Sequence, residues 1–227
     1  AVSTVNKDHI LTFYNDFRAV DLGPTEPALP GPSSSVLARA WNNVTVFLAR
    51  LVGRPAPKPE PAAPEHAAAA EAWIGMSASY DGGLTWVGGL VPGSPEDDSP
   101  ASVASPAYGL QGASDPVVVS APCGKFFLAW LAFTRGGESR LLVSRFTDAN
   151  DSDQRHTIRY DGTTVVEVGQ NDTNGHFLDK PDAAIELTGA SGCDAYVVHV
   201  SYTTFVGQGG NKFTSKVTVA STTNGGL

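Results

Sequence analysis

Two stretches of the chain carry the same features in the same order, and this repeat constrains the fold most. They are "SDPVVVSAPCGKFFLAWLAFTRGGESRLLVSRFTDAND" and "DKPDAAIELTGASGCDAYVVHVSYTTFVGQGGNKFTSKVTVASTTNGG". Each opens on an Asp and a Pro, Asp115-Pro116 in one and Asp179 with Pro181 in the other. A short apolar run follows, then a turn containing a cysteine, then a long aromatic run. A Gly-rich turn and a run ending in Ser or Thr complete the unit. Alternating runs of this length bounded by Gly, Asn and Asp predict antiparallel strands. One meander of three or four strands cannot bury both of its faces, so such units stack on their neighbours.

A third, interrupted copy precedes these two. "HILTFYNDFRAVD" supplies its first run and "AWIGMSASYDGGLTW" its next two. Between them residues 24–70 read as an insertion rich in Pro and Ala. Inside it Val36, Leu37, Ala40, Trp41, Val44, Phe47, Leu48 and Leu51 recur at helical spacing. Ser33–Ser35 offer N-caps and Gly53 a stop, so the spacing predicts one amphipathic helix on stiff linkers. A strand pair around "VTVFLA" is the alternative. Elsewhere no helix-length periodicity intervenes after residue 72. Asp161-Gly162, between "HTIRY" and "TTVVEV", reads as a two-residue hairpin. The expected class is therefore all-β, a partial β-propeller of about three blades with one inserted helix. Blade 1 spans about 1–91 around the insertion, blade 2 about 115–168, and blade 3 about 179–227.

Charge narrows the partners. The formal net charge is −8 and the 15 Lys and Arg are scattered. Nucleic acid needs a basic stripe, and an anionic membrane surface repels such a chain. No apolar run reaches membrane-spanning length. Sequons at Asn43, Asn150 and Asn171 permit a secreted protein, with any leader already removed.

"SYDGGLTW", Ser79 to Trp86, fits the pattern S-x-D-x-G-x-T-W, with Ser79, Asp81, Gly83, Thr85 and Trp86 in the fixed places. It resembles the Asp-box of sialidase-like (BNR-repeat) propellers, a hairpin turn between the last two strands of a blade. In that turn Asp81 accepts backbone N–H groups and the Ser79 hydroxyl. Gly83 takes a backbone angle that a Cβ would obstruct, and Trp86 is expected beneath the turn, covering the core. "STTNGGL" at residues 221–227 aligns with "ASYDGGL", which puts Asn224 on Asp81 and Gly226 on Gly83. The resemblance implies a propeller of about six blades. This chain would be about half of one, completed by further residues or a partner chain.

The same resemblance implies either of two functions. In sialidases three arginines hold the substrate carboxylate, a Tyr–Glu pair is the nucleophile and an Asp the acid/base. The tetrapeptide F/Y-R-I-P that carries the first arginine is absent. The leading expectation is a secreted or surface-exposed, non-catalytic module that binds a glycan or protein, or builds a larger assembly. The alternative is an exo-glycosidase whose catalytic Tyr, Glu and further Arg lie outside this chain.

Candidate site residues each have two readings. Arg18 with Asp16 and Asp21 can face a ligand at the propeller mouth or form a surface ion pair. Asp115 and Asp179–Asp182 can rim the mouth or cap turns. Asp148, Asn150, Asp151 and Asp153 place oxygens at alternating positions, as Ca²⁺ requires, or form a solvated acidic turn; no other cofactor is expected. Cys123 and Cys193 occupy equivalent repeat positions, where neighbouring blades would join them in a disulfide or bury two thiols. His9, His66, His156, His176 and His199 show no metal-ligand spacing, and His199 reads as a satisfied sheet residue. The insertion helix can dock a partner by its apolar face.

Overall fold

The computed structural model describes residues 1–17, 72–151, 157–170, 175–189, 191–207 and 214–222. Ala1–Val20 with Ala69–Leu227 form one unit, from which Asp21–Ala68 divides. The predicted insertion and its helix lie outside the described residues, as do Arg18, Asp21, Asp153, Asn224 and Gly226.

The described chain is all-β, in three antiparallel sheets. The first is β1 (Ile10–Asp16), β2 (Trp73–Ser79) and β3 (Val87–Leu90), in that order. The second is β4 (Gly112–Ala121), β5 (Lys125–Phe133), β6 (Glu138–Asp148) and β7 (Ile158–Gln170). The third is β8 (His176–Leu187), β9 (Tyr196–Val206) and β10 (Thr214–Thr222). The sheets pack in chain order: β4 lies against β1 and β2, and β8 lies against all four strands of the second sheet. Among the described residues this stack does not close into a ring.

The stacking explains the unbroken apolar run "KFFLAWLAF". Phe126, Leu128, Trp130 and Ala132 join a core with Leu11, Trp73 and Ile74 of the first sheet. The alternate residues Phe127, Ala129 and Leu131 join a second core with Tyr196, Val198 and Val200 of the third. A strand buried on both faces has no polar face to show. Trp73 and Trp130 meet edge to face at 6.0 Å, and Trp130 Nε1 donates to Ser144 Oγ at 2.9 Å.

Two expectations are corrected. Asp161-Gly162 is no hairpin, because β7 runs straight through it. Gly162 pairs Arg145 and Tyr160 pairs Phe146, which leaves Asp161 as the extra residue of a β-bulge. Its carboxylate takes hydrogen bonds from Arg145 Nε at 2.8 Å and Thr147 Oγ1 at 2.6 Å, so the partner strand holds what a turn would have exposed. Trp86 does not cover the core. It is 46% exposed and donates through Nε1 to Gly83 O at 3.0 Å, lying over the turn instead. A short helix, α1 (Pro100–Val103), also appears after residue 72. Ser99 caps it and Pro100 opens it, where the missing N–H costs nothing.

Candidate functional site

The side chains with chemistry fall at two opposite ends of the sheets. One end is pinned. Ser79 Oγ donates to Asp81 Oδ1 at 2.9 Å and accepts from Gly83 N at 2.8 Å. Thr85 donates to Asp81 through its amide at 2.8 Å and its hydroxyl at 2.6 Å. The Thr85 hydroxyl, then the Thr85 amide, hold the Asp81 carboxyl down at about 2. Gly83 sits at φ +95°, where a side chain would be strained. The polar groups of this turn satisfy one another.

Beside it Asp148 is fully enclosed. Its Oδ2 takes the Ser3 hydroxyl at 2.6 Å and meets His9 Nδ1 at 2.8 Å. Its Oδ1 takes Asn150 N and the Thr157 hydroxyl, both at 2.9 Å. Burial alone would push this carboxyl up, but the hydrogen bonds from Ser3, His9, Asn150 and Thr157 outweigh it and hold it below the usual range. Asp148 is one of the calcium candidates, of which Asp153 lies outside the described residues. Both oxygens of Asp148 are engaged by donors, Asp151 pairs with Arg159, and Asn150 Oδ1 accepts from Asn6. Among the described residues no three His, Cys, Asp or Glu converge as metal ligands. The Ser–His–Asp composition is not a nucleophilic relay either, because Ser3 donates to the aspartate and not to His9.

A disulfide joins Cys123 to Cys193 at this end, with the Cα atoms 5.3 Å apart. The tight turn before β5 and the longer turn before β9 are thereby tied together. Lys125 Nζ reaches Asp194 at 2.6 Å and lies 5.5 Å from the Tyr196 ring, so ionic and aromatic contacts flank the bridge.

The opposite end is built differently. The first strands of the second and third sheets, β4 and β8, each carry a bulge before a proline. The register shifts between Ser114 and Val117 in one, and between Asp179 and Asp182 in the other. The residue preceding each proline takes a positive φ, +56° at Asp115 and +54° at Lys180. Side chains other than glycine pay for that conformation, which persists where the surroundings over-determine it. The bulges bring the Asp115 and Asp179 carboxyls close enough to act on each other, beside the Lys180 charge. Burial first, then Asp179, pushes the Asp115 carboxyl up, against the pull of Lys180. Asn15 Oδ1 accepts from Asp115 N at 3.1 Å, which places the end of β1 at the same site. Asp16 follows it and is buried.

A cleft of about 230 Å³ adjoins the pair, lined by Ser114, Leu131, Phe133, Ser139, Phe177 and Asp179. A second of about 200 Å³ continues over Arg135 and Gly136. Ser139 Oγ is buried and has no hydrogen-bond partner among the described residues. Phe177 leaves part of its ring in solvent. Of the predicted mouth residues, the structure thus gathers Asp115 and Asp179 with Asp16 nearby, while Asp182 is exposed and accepts from the Ala183 amide. The sequence reading missed Asn15, Ser139 and Phe177. The repeated Asp-Pro was the signal available for the bulges.

Comparison of the chain with protein families, with curated proteins and with solved structures found no match.

Proposed function

We propose that the three sheets are successive blades of a sialidase-like β-propeller, and that the chain is a non-catalytic module binding a neutral glycan at the Asp115 end. The observation that carries this reading is the half-buried Asp115–Asp179 pair beside Phe133 and Phe177. Carboxylates accept hydrogen bonds from sugar hydroxyls, and an exposed ring offers the apolar patch that a sugar face covers. The same carboxylates, with the net charge of −8, oppose an anionic sugar. Chain-order stacking and equivalently placed bulges support the blade reading. The disulfide supports a secreted or surface-exposed location, since such bonds persist in oxidising compartments.

The second reading, an exo-glycosidase, is favoured by one observation. A carboxyl pushed up by burial, with a second carboxyl group close by, is the equipment of acid/base cleavage. One experiment separates the two. The full chain is applied to an array of neutral and sialylated glycans, and incubated with fluorogenic sialosides and neutral glycosides. Retention of neutral glycans without fluorophore release, lost in Asp115→Asn/Asp179→Asn, is expected. Fluorophore release that depends on Asp115 would establish the enzyme instead, and no glycan retention at all would sink the binding reading.

A further inference from the structure

Asp115-Pro116 is the one Asp-Pro bond in the sequence. A carboxyl is a competent internal nucleophile, and an aspartate can close a small ring on its own carbonyl carbon. The proline nitrogen suits departure, since its amide is tertiary and carries no hydrogen. The fold adds three things to this chemistry. Asp115 is held at φ +56°, where an L side chain is strained, and opening the bond at this residue releases that strain. The bulge also takes the bond out of the ladder. Pairing steps from Ser114 with Leu131 to Val117 with Ala129, and the Asp115 N–H goes to Asn15 Oδ1 at 3.1 Å. Finally, Asp115 and Pro116 are only half-buried, so water reaches the bond. The third sheet repeats the backbone without the chemistry. Lys180-Pro181 sits in the equivalent bulge, with Lys180 at φ +54°. Lysine has no carboxyl to turn on its own carbonyl, and Pro181 is buried.

We propose that the folded chain cleaves itself between Asp115 and Pro116 in mildly acidic solution. An Asp115 carboxyl oxygen forms a bond to the carbonyl carbon of the same residue. The C–N bond to Pro116 breaks, and the carboxyl proton passes to the proline nitrogen. This leaves a cyclic anhydride at Asp115 and a secondary amine at Pro116. Water then adds to the anhydride and restores two carboxyls, so the sum is hydrolysis of one amide, with nothing oxidised or reduced. The reaction needs Asp115 with its proton. The charged groups facing it are Asp179 and Lys180, both from β8. β5 sets the uncharged Trp130 opposite the bulge, and β1 adds Asn15, followed by the buried Asp16. Burial favours the protonated carboxyl, Lys180 opposes it, and Asp179 adds to the effect of burial. The rate therefore falls as pH rises through the Asp115 value. The first sheet precedes the cut, while Cys123 and Cys193 both follow it, so the disulfide does not span it. The shared core and the bonds of Ser3 and His9 to Asp148 keep the two pieces together.

The test keeps the full chain, with protease inhibitors, at pH about 5 and about 8, and follows it by intact mass and N-terminal sequencing. Fragments of residues 1–115 and 116–227 are expected at the lower pH. They co-elute on gel filtration and separate in denaturant without a reductant. The folded chain cleaves about ten-fold faster, or more, than the same chain unfolded in urea at the same pH. Asp115→Asn abolishes the cut. Asp179→Asn moves its pH profile downward, which the loss of a merely structural contact would not do. The bond between Lys180 and Pro181 stays whole. Where Asp115→Asn fails to fold, the folded and urea-treated forms of the unaltered chain decide. An intact chain at both pH values would overturn the proposal. So would equal rates in the folded and unfolded chain, which is the acid lability of any Asp-Pro bond, or a cut that survives in Asp115→Asn. The cut needs no sugar and is read by mass, so it stands or falls apart from the glycan reading of the same end.

Discussion

Three described aspartates, Asp81, Asp148 and Asp194, have carboxyls held low, and the first two make distinct predictions. Asp81 sits in a surface turn and is held at about 2 by Thr85. Its folded value lies below the unfolded one, near 3.8. What it contributes to the turn is therefore present above that value and is lost as pH falls through about 2. A carboxyl titration by NMR with a midpoint near 2, absent in Thr85→Val, is the expected result. Asp148 differs because it is buried with four donors aimed at it. Asp148→Ala strands those donors and costs about 3 kcal/mol by chemical denaturation. Asp115 shifts the other way. Its raised carboxyl is better accommodated protonated, so its contribution is present below the unfolded value and lost as pH rises through the folded one. Asp115→Asn consequently raises the unfolding free energy at pH 7 by less than about 1 kcal/mol, since the site is partly screened by solvent. It also removes glycan retention. A variant that is both more stable and unable to bind identifies Asp115 as a residue kept for ligand and not for folding.

At the scale of elements, the middle sheet and the disulfide dominate. Trp130 is fully buried between the first and second sheets. Trp130→Ala removes that ring and leaves the Ser144 hydroxyl without its indole donor, for about 3–5 kcal/mol. The bond between Cys123 and Cys193 spans a sequence separation of 70. Closing a loop of that length restricts the unfolded chain, and Cys123→Ser/Cys193→Ser is expected to cost about 2–4 kcal/mol in denaturant. Exchange should then rise first in the turns before β5 and β9, while the two cores stay protected. Strand identity was legible along most of this chain, because alternation and turn residues are local. β5 was legible as a strand but not as the double-faced centre of the stack, since an apolar run does not say what lies on either side of it. Asp161-Gly162 was misleading for a related reason. The dipeptide suits a tight turn and a bulge equally, and pairing with β6 selected the bulge.

For the molecule as a whole, the three sheets form a graded object. One end is locked by the Ser79–Trp86 turn, the Asp148 network and the disulfide, and the other holds strained backbone beside open clefts. The outer faces of the first and third sheets, unlike those of the second, reach solvent. Val217 and Val219 are 71% and 61% exposed. Partial proteolysis at low protease concentration is expected to leave β4–β9 intact and to cut first outside it; early cuts within β5 or β6 would contradict the central place given to the second sheet.

The amino-acid order alone determined the all-β class, the tandem meanders and the chemistry of the Ser79–Trp86 turn. Each depends on residues within a few positions of one another, where backbone geometry and short side chains leave little choice. Tertiary structure alone decided that Asp148 anchors the N-terminal segment, and that Trp86 covers its own turn. It also decided that Asp115 and Asp179 meet across two sheets. Those outcomes turn on which distant groups compete for the same carboxylate or the same space, and no local pattern encodes that competition.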